Sequence, residues 1–243
     1  MRVSVVIPAL NEEATVAGVV KAALASCASE VIVVDSDSTD ATAAVARDAG
    51  ATVLNWRDIA PGIPVRPGKG EALWRGVRAA TGDVVVFLDA DVTTVEPGWV
   101  DGLVGEFANK QVQLVKATYR RTLDGEEHGG GRVTELTAKP LLKLLFSDVP
   151  AIEQPLAGEY AIRREAALRL PFVAGYGVEV GLLIDVATTY GPDAITQVNL
   201  GVKTHRNRPL AELAGMSEIV ARTICHRAGV ADSAVEERAP WVG

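Results

Sequence analysis

Only two cysteines occur in the 243 residues, Cys27 and Cys225, far apart and without metal-ligand spacing. Neither a disulfide framework nor a thiolate metal site is supported, and the pair reads as two reduced thiols in a cytoplasmic protein. No apolar run approaches the ~18–20 residues that span a bilayer. The longest, such as residues 84–88, are the size of a strand. The start, Met1-Arg2-Val3-Ser4, carries no charged leader with a small-residue cleavage site, so secretion is not expected. Positive charge is also short: 24 Lys plus Arg stand against 31 Asp plus Glu, a net charge of −7. That balance argues against nucleic acid as a partner, because no global positive field gathers phosphates. A small anionic substrate held by local arginines remains compatible with it.

What is present is a large apolar fraction, 48%, enough for a sizeable core in one large domain or two small ones. The first half alternates strand and helix signals. Residues 3–7, 30–34, 51–55 and 83–88 are strand-like runs rich in valine and isoleucine, and helical stretches at about 12–25, 39–49 and 71–80 separate them. Asn11 is placed to cap the first helix, with Glu12 and Glu13 in its opening turn. Gly50 stops the second. The expected architecture is α/β: a Rossmann-like, mostly parallel sheet with helices on both faces, followed by a less regular half. In that half, strands are expected at 113–118, 159–162 and 194–202. Helices are expected at 133–146, kinked or restarted at Pro140, and at 178–189 and 210–228. From Ala231 the chain reads as a frayed tail. The division is 1–120 for nucleotide binding, 121–230 for the acceptor within the same domain, and 231–243 as tail.

Ligands bind beyond the carboxyl ends of strands in such sheets. Three of those ends carry Pro8-Ala9-Leu10-Asn11-Glu12, Asp35-Ser36-Asp37-Ser38 and Asp89-Ala90-Asp91. Asp89 and Asp91 project to one side of extended backbone, where like charges repel unless a cation compensates them. A hard divalent ion shared with a diphosphate meets that need, and is preferred to a solvated turn. Gly68-Lys69-Gly70 precedes a helix without the P-loop pattern, and is open between a phosphate contact and a surface loop. Glu12 either accepts hydrogen bonds from a base or stabilises a helix start. The glycine-rich turn of a dinucleotide-binding oxidoreductase is absent after the first strand. Gly129-Gly130-Gly131-Arg132-Val133-Thr134-Glu135 combines glycines, an arginine and a helix N-terminus, which favours an anion site over a plain loop. His205 lies at the end of a late strand beside Arg206 and Arg208, which suits a metal or diphosphate.

Together these stretches resemble the glucosyl-3-phosphoglycerate synthases, a retaining family of the GT-A fold. PVRPGKGEALW at 64–74 and QVNLGVKTHRNRPL at 197–210 carry the resemblance most specifically, and matching segments extend to about Val230. Ala90 departs from the serine that the family often has. The resemblance implies transfer of glucose from UDP-glucose to 3-phosphoglycerate with retention, assisted by Mg²⁺ or Mn²⁺. It assigns the uridine to Pro8, Ala9, Leu10, Glu12 and Ser36, and the donor's nucleotide part to Lys69, Asp89 and Ala90. The metal goes to Asp91 and His205. Leu156, Tyr176 and Glu179 surround the sugar, with Glu179, Asp91 and Lys69 as the catalytic set. Gly131, Arg132, Val133, Thr134 and Asn207 hold the phosphoglycerate. The implied partners are the two substrates, with a homodimer left open, no nucleic acid and no membrane span.

Three other readings stand beside it. One is a mannosyl-3-phosphoglycerate synthase using GDP-mannose. A nucleotidyltransferase would normally open with a glycine-rich loop, where this chain has Pro8-Ala9-Leu10. A non-catalytic sugar-nucleotide sensor would have no need of both Asp91 and His205.

Overall fold

Alternate side chains of β1 (Val3–Ala9) enter opposite layers: Val5 and Ile7 join one core, Val6 the other. The same division runs through the next strands. α1 (Val16–Leu24), β2 (Glu30–Asp35), α2 (Thr42–Asp48), β3 (Thr52–Asn55), α3 (Lys69–Ala79) and β4 (Val84–Phe87) follow in order. β1 pairs in parallel with both β2 and β4, and β2 with β3. Their unbroken valine runs are what a strand covered on both faces requires. In this computed structural model, residues 1–122, 131–204 and 210–242 are described.

The second half supplies α4 (Pro97–Gly105), β5 (Leu114–Thr122), α5 (Lys139–Leu145), β6 (Tyr160–Arg163), α6 (Arg164–Leu168), β7 (Phe172–Val173), α7 (Val178–Tyr190), β8 (Ile195–Thr204), α8 (Leu210–Arg227) and β9 (Glu237–Arg238). The seven-stranded sheet runs β3-β2-β1-β4-β6-β5-β8. β6 is antiparallel to both of its neighbours, so the sheet is mixed, and the two halves of the chain share it. One face is covered by α1 and α4, the other by α3 and α7. α4 escapes sequence reading because Gly98, Gly102 and Gly105 dilute its apolar period.

Some local expectations need correction. Asn11 does not cap α1. It sits in the left-handed region at φ 57°, and its Oδ1 accepts the Thr39 N–H at 2.9 Å. The chain must turn sharply off β1, and asparagine tolerates that conformation. The Glu13 carboxylate reaches the Ala41 N–H instead of opening a helix, and α1 starts only at Val16. The restart expected at Pro140 is, by contrast, observed. A π-helical turn over Thr134–Ala138 precedes α5 and accommodates the missing N–H, leaving proline in the first turn of α5.

The residues after Ala231 are packed, not frayed. β9 pairs with β7, and Trp241 stacks on Trp74 with ring centroids 3.7 Å apart. Trp74 Nε1 donates to the Ala239 carbonyl, and Trp241 Nε1 donates to the Trp74 carbonyl. Arg238 meets the fully buried Glu71 of α3, which also holds Arg75. This C-terminal strap lies across α3, the helix that begins at Lys69. Polar, tryptophan-poor spacing hides it in the sequence, because each anchor is a single residue with a distant partner.

Candidate active site

The parallel strands end side by side, and their C-terminal residues line one cleft of about 340 Å³. Pro8 and Ala9 end β1, Leu10 and Glu12 lie in the turn after it, Ser36 follows β2, Trp56 follows β3, and Asp89, Ala90 and Asp91 follow β4. Gly68, Lys69 and Ala72 arrive on the first turns of α3, and Gly175 and Tyr176 on the segment before α7. Ten residues named from the sequence therefore do converge: Pro8, Ala9, Leu10, Glu12, Ser36, Lys69, Asp89, Ala90, Asp91 and Tyr176.

Gly68 and Gly70 have a packing role. A Cβ on Gly70 would lie 1.8 Å from the Val173 carbonyl oxygen, and one on Gly68 would lie 2.4 Å from that of Ala174. Glycine thus brings α3 against the β7 segment and fixes where Lys69 points. Its Nζ lies 2.5 Å from Asp89 Oδ1 and 2.6 Å from Glu179 Oε1. Burial opposes the ammonium charge, but Asp89 and Glu179 outweigh it and hold Lys69 well above its ordinary pKa. Asp89 is likewise opposed by burial, and the charges of Lys69 and Lys203 carry it well below the usual carboxylate range. Gly158 packs against that carboxylate: a Cβ there would sit 2.1 Å from Asp89 Oδ2.

Asp91 differs. It makes no hydrogen bond or ion pair with another described residue. Burial, and then the neighbouring Asp89 charge, push its pKa up. A half-buried carboxylate with no ion pair among the described residues is an oxygen donor suited to a hard divalent ion, so the residues present fit a metal. His205, the second expected ligand, and Asn207 lie outside the described residues, as do Gly129 and Gly130.

Other residues of the site were missed in the sequence. Lys203 Nζ lies 2.5 Å from Glu159 Oε1 and 3.7 Å from Asp89 Oδ2. Lys116, fully buried on β5, donates to the Ala157 carbonyl at 2.7 Å and sits 4.4 Å from the centre of the Tyr160 ring. Burial pushes its pKa down to about 7. Glu159 Oε2 and the Tyr160 hydroxyl are buried without a hydrogen-bond partner among the described residues. The available signal was a charge inside an apolar strand run, Leu114-Val115-Lys116-Ala117, since lone buried charges need partners.

The other expected residues are placed as follows. Glu179 opens α7 and bonds Lys69. Leu156 is partly buried against the core rather than on the cleft lining. Gly131, with φ 74°, leads into the π-helical turn, and its carbonyl accepts the Glu135 N–H at 2.9 Å. Val133 packs its side chain into the core, so only its backbone is left to meet a ligand. Thr134 is 2% exposed.

Residues 4–168 match the family described as Glycosyl transferase family 2. Glucosyl-3-phosphoglycerate synthase of Mycobacterium tuberculosis is 50% identical over 96% of this chain and 75% of its own length. That of Petrotoga mobilis is 40% identical over 93% of this chain and 73% of its own. This chain belongs to the glucosyl-3-phosphoglycerate synthases of glycosyltransferase family 2. The crystal structure of the M. tuberculosis family member, in complex with Mn²⁺, UDP-glucose and phosphoglyceric acid, superposes with a TM-score of 0.91. It is 46% identical, over 99% of this chain and 90% of that one. The same protein has been crystallised with Mn²⁺, UDP and glucosyl-3-phosphoglycerate. The family assignment also agrees with the described helices, none of which is long and apolar enough to cross a membrane.

Proposed function

We propose that this chain transfers glucose from UDP-glucose to 3-phosphoglycerate with retention, giving glucosyl-3-phosphoglycerate. The observation that carries the reading is the grouping, at one end of the cleft, of the Asp91 carboxylate with Asp89 and the Lys69 and Lys203 ammoniums that hold Asp89. That end is built to receive a diphosphate and a divalent cation together. Asp91 and His205 would hold Mg²⁺ or Mn²⁺, which supplies Lewis-acid stabilisation of the diphosphate.

The chain's own groups do the rest. As the sugar–phosphate bond breaks, negative charge grows on the UDP oxygen. Lys69 and Lys203 stand preorganised beside it in a partly desolvated site, where fixed charge is most effective. Their present partners, Asp89, Glu159 and Glu179, hold them in place and keep them protonated. Glu179, 5% exposed, is positioned beside Lys69 to meet sugar hydroxyls or the positive charge that develops on the ring. With the acceptor hydroxyl on the same face as the departing phosphate oxygen, that oxygen takes its proton and no enzyme nucleophile is needed. Incubation with UDP-glucose, 3-phosphoglycerate and Mg²⁺ should yield glucosyl-3-phosphoglycerate by mass spectrometry. Chelator should abolish the product, and Mn²⁺ should restore it. Product from GDP-mannose and none from UDP-glucose would move the chain to the mannosyl reading.

The acceptor phosphate is assigned to Arg132 and to the backbone N–H groups that open the helix at Gly131. A phosphate held by several desolvated donors is required rather than tolerated, since its loss leaves them unpaired. Glycerate should therefore be a far poorer acceptor. Arg132→Ala should raise the KM for 3-phosphoglycerate by ~10–100-fold, the equivalent of one charge-assisted bond at ~1.5–3 kcal/mol. UDP-glucose affinity should stay within about twofold. Equal acceptor KM values in the two proteins, at saturating donor, would remove Arg132 from the assignment.

A further inference from the structure

The cleft is lined by residues from the ends of four strands, and the sheet order sets how far apart its outer members stand. Asp89 and Asp91 follow β4, while Trp56 follows β3, three strand positions away in the order β3-β2-β1-β4. At ~4.8 Å per strand this is roughly 14 Å, the reach of an extended nucleotide from phosphate to base. With the diphosphate at Lys69, the base comes to rest beside Trp56, Ser36 and Ala72.

Trp56 is held unusually firmly for a residue that follows an edge strand. It is 8% exposed and packs in the core with Val34 and Ala72. Its N–H donates to the Asp35 carbonyl at 3.0 Å, and its carbonyl accepts Arg75 Nη1 at 3.0 Å. On either side of it, Asn55 and Arg57 both bond the Asp37 carboxylate, at 3.0 Å and 2.6 Å. A tryptophan on a mobile loop would offer only an aromatic face. One built into the core cannot swing aside, so it also limits the size of what lies against it.

Resting on the donor assignment above, we propose that Trp56 is the specificity-determining wall of the base subsite. The uracil ring stacks on its indole, and the second ring of a purine is excluded by it.

Two measurements test this together. Tryptophan fluorescence should be quenched when UDP is titrated into the wild type. The quench should persist in Trp99→Phe, whose indole lies in the core on the opposite face of the sheet, and should be largely lost in Trp56→Phe. By calorimetry, Trp56→Ala should weaken UDP about tenfold, as loss of base–aromatic stacking does. GDP should be unchanged or tighter, so that the preference for UDP collapses by tenfold or more. If Trp56→Ala does not fold by circular dichroism, Trp56→Leu carries the calorimetric comparison. An unchanged quench in Trp56→Phe, or an unchanged UDP-to-GDP ratio in a folded variant, overturns the proposal. A wild type that binds neither nucleotide would defeat the donor assignment itself, and the Trp56 proposal with it.

Discussion

Replacing Lys69 with methionine should lower kcat by about 10²–10³, the usual cost of removing one preorganised donor from a developing negative charge. The donor KM should move much less. Lys69 Nζ stands within 2.6 Å of two carboxylates, Asp89 and Glu179, from two different elements. Its charge is thus already fixed in position before any substrate arrives, and little reorganisation is left for the reaction step. Ground-state binding is shared with the apolar base subsite and the metal, which the substitution leaves intact. Asp89 keeps Lys203 nearby, at 3.7 Å, whereas Glu179 loses its ion-pair partner while only 5% exposed. The variant should therefore melt somewhat lower but remain folded at assay temperature. Steady-state kinetics beside a thermal melt decide the matter. A folded variant with kcat within tenfold of wild type would remove Lys69 from the catalytic set.

The largest effect on stability should come from Glu71→Ala. Glu71 and Arg75 are both fully buried, and Arg238 is 8% exposed. Glu71 Oε1 receives Arg75 Nε at 2.7 Å, and Arg238 Nε lies 2.6 Å from Oε2. Removing the one carboxylate strands two guanidiniums in the interior. Breaking a buried pair in this way costs ~3–5 kcal/mol. For a domain of this size that corresponds to a Tm lower by roughly 6–20 °C. Replacing all three residues with methionine should recover much of the loss, because the desolvation cost disappears with the charges. A Tm within ~2 °C of wild type for Glu71→Ala would show that the network adds nothing net.

Much of the nucleotide half was legible because its signals are local. Valine-rich runs bounded by Pro8, Asp35 and Asp89 mark strands and their functional ends within a few residues. Lys116, Glu159 and Lys203 were not legible as a group, since they meet only because β6 inserts antiparallel between β4 and β5. No spacing along the chain encodes that insertion. Trp56 was hidden for a related reason. It follows an ordinary short strand, and only the fan of parallel ends shows that it faces the same cleft as Asp89. Asn11 misled because the residue types that favour helix caps also favour left-handed turns. The tail misled because polar composition near a terminus usually means fraying, and the sequence gives no notice of the Trp241–Trp74 stack.

The strap also imposes an order of events during synthesis. Arg238 reaches back 167 positions to Glu71, so the helix that carries Lys69 lacks the second cation on Glu71 until Arg238 has emerged. At ~5–20 residues per second, the interval is roughly 10–30 s. Through that time the ribosome-bound chain holds Glu71 and Arg75 paired with each other but uncovered, and Trp74 without its stacking partner. Nascent chains arrested before Arg238 should accordingly present Trp74 and the loop around residue 60 to proteases and chaperones, and chains extended past Trp241 should not.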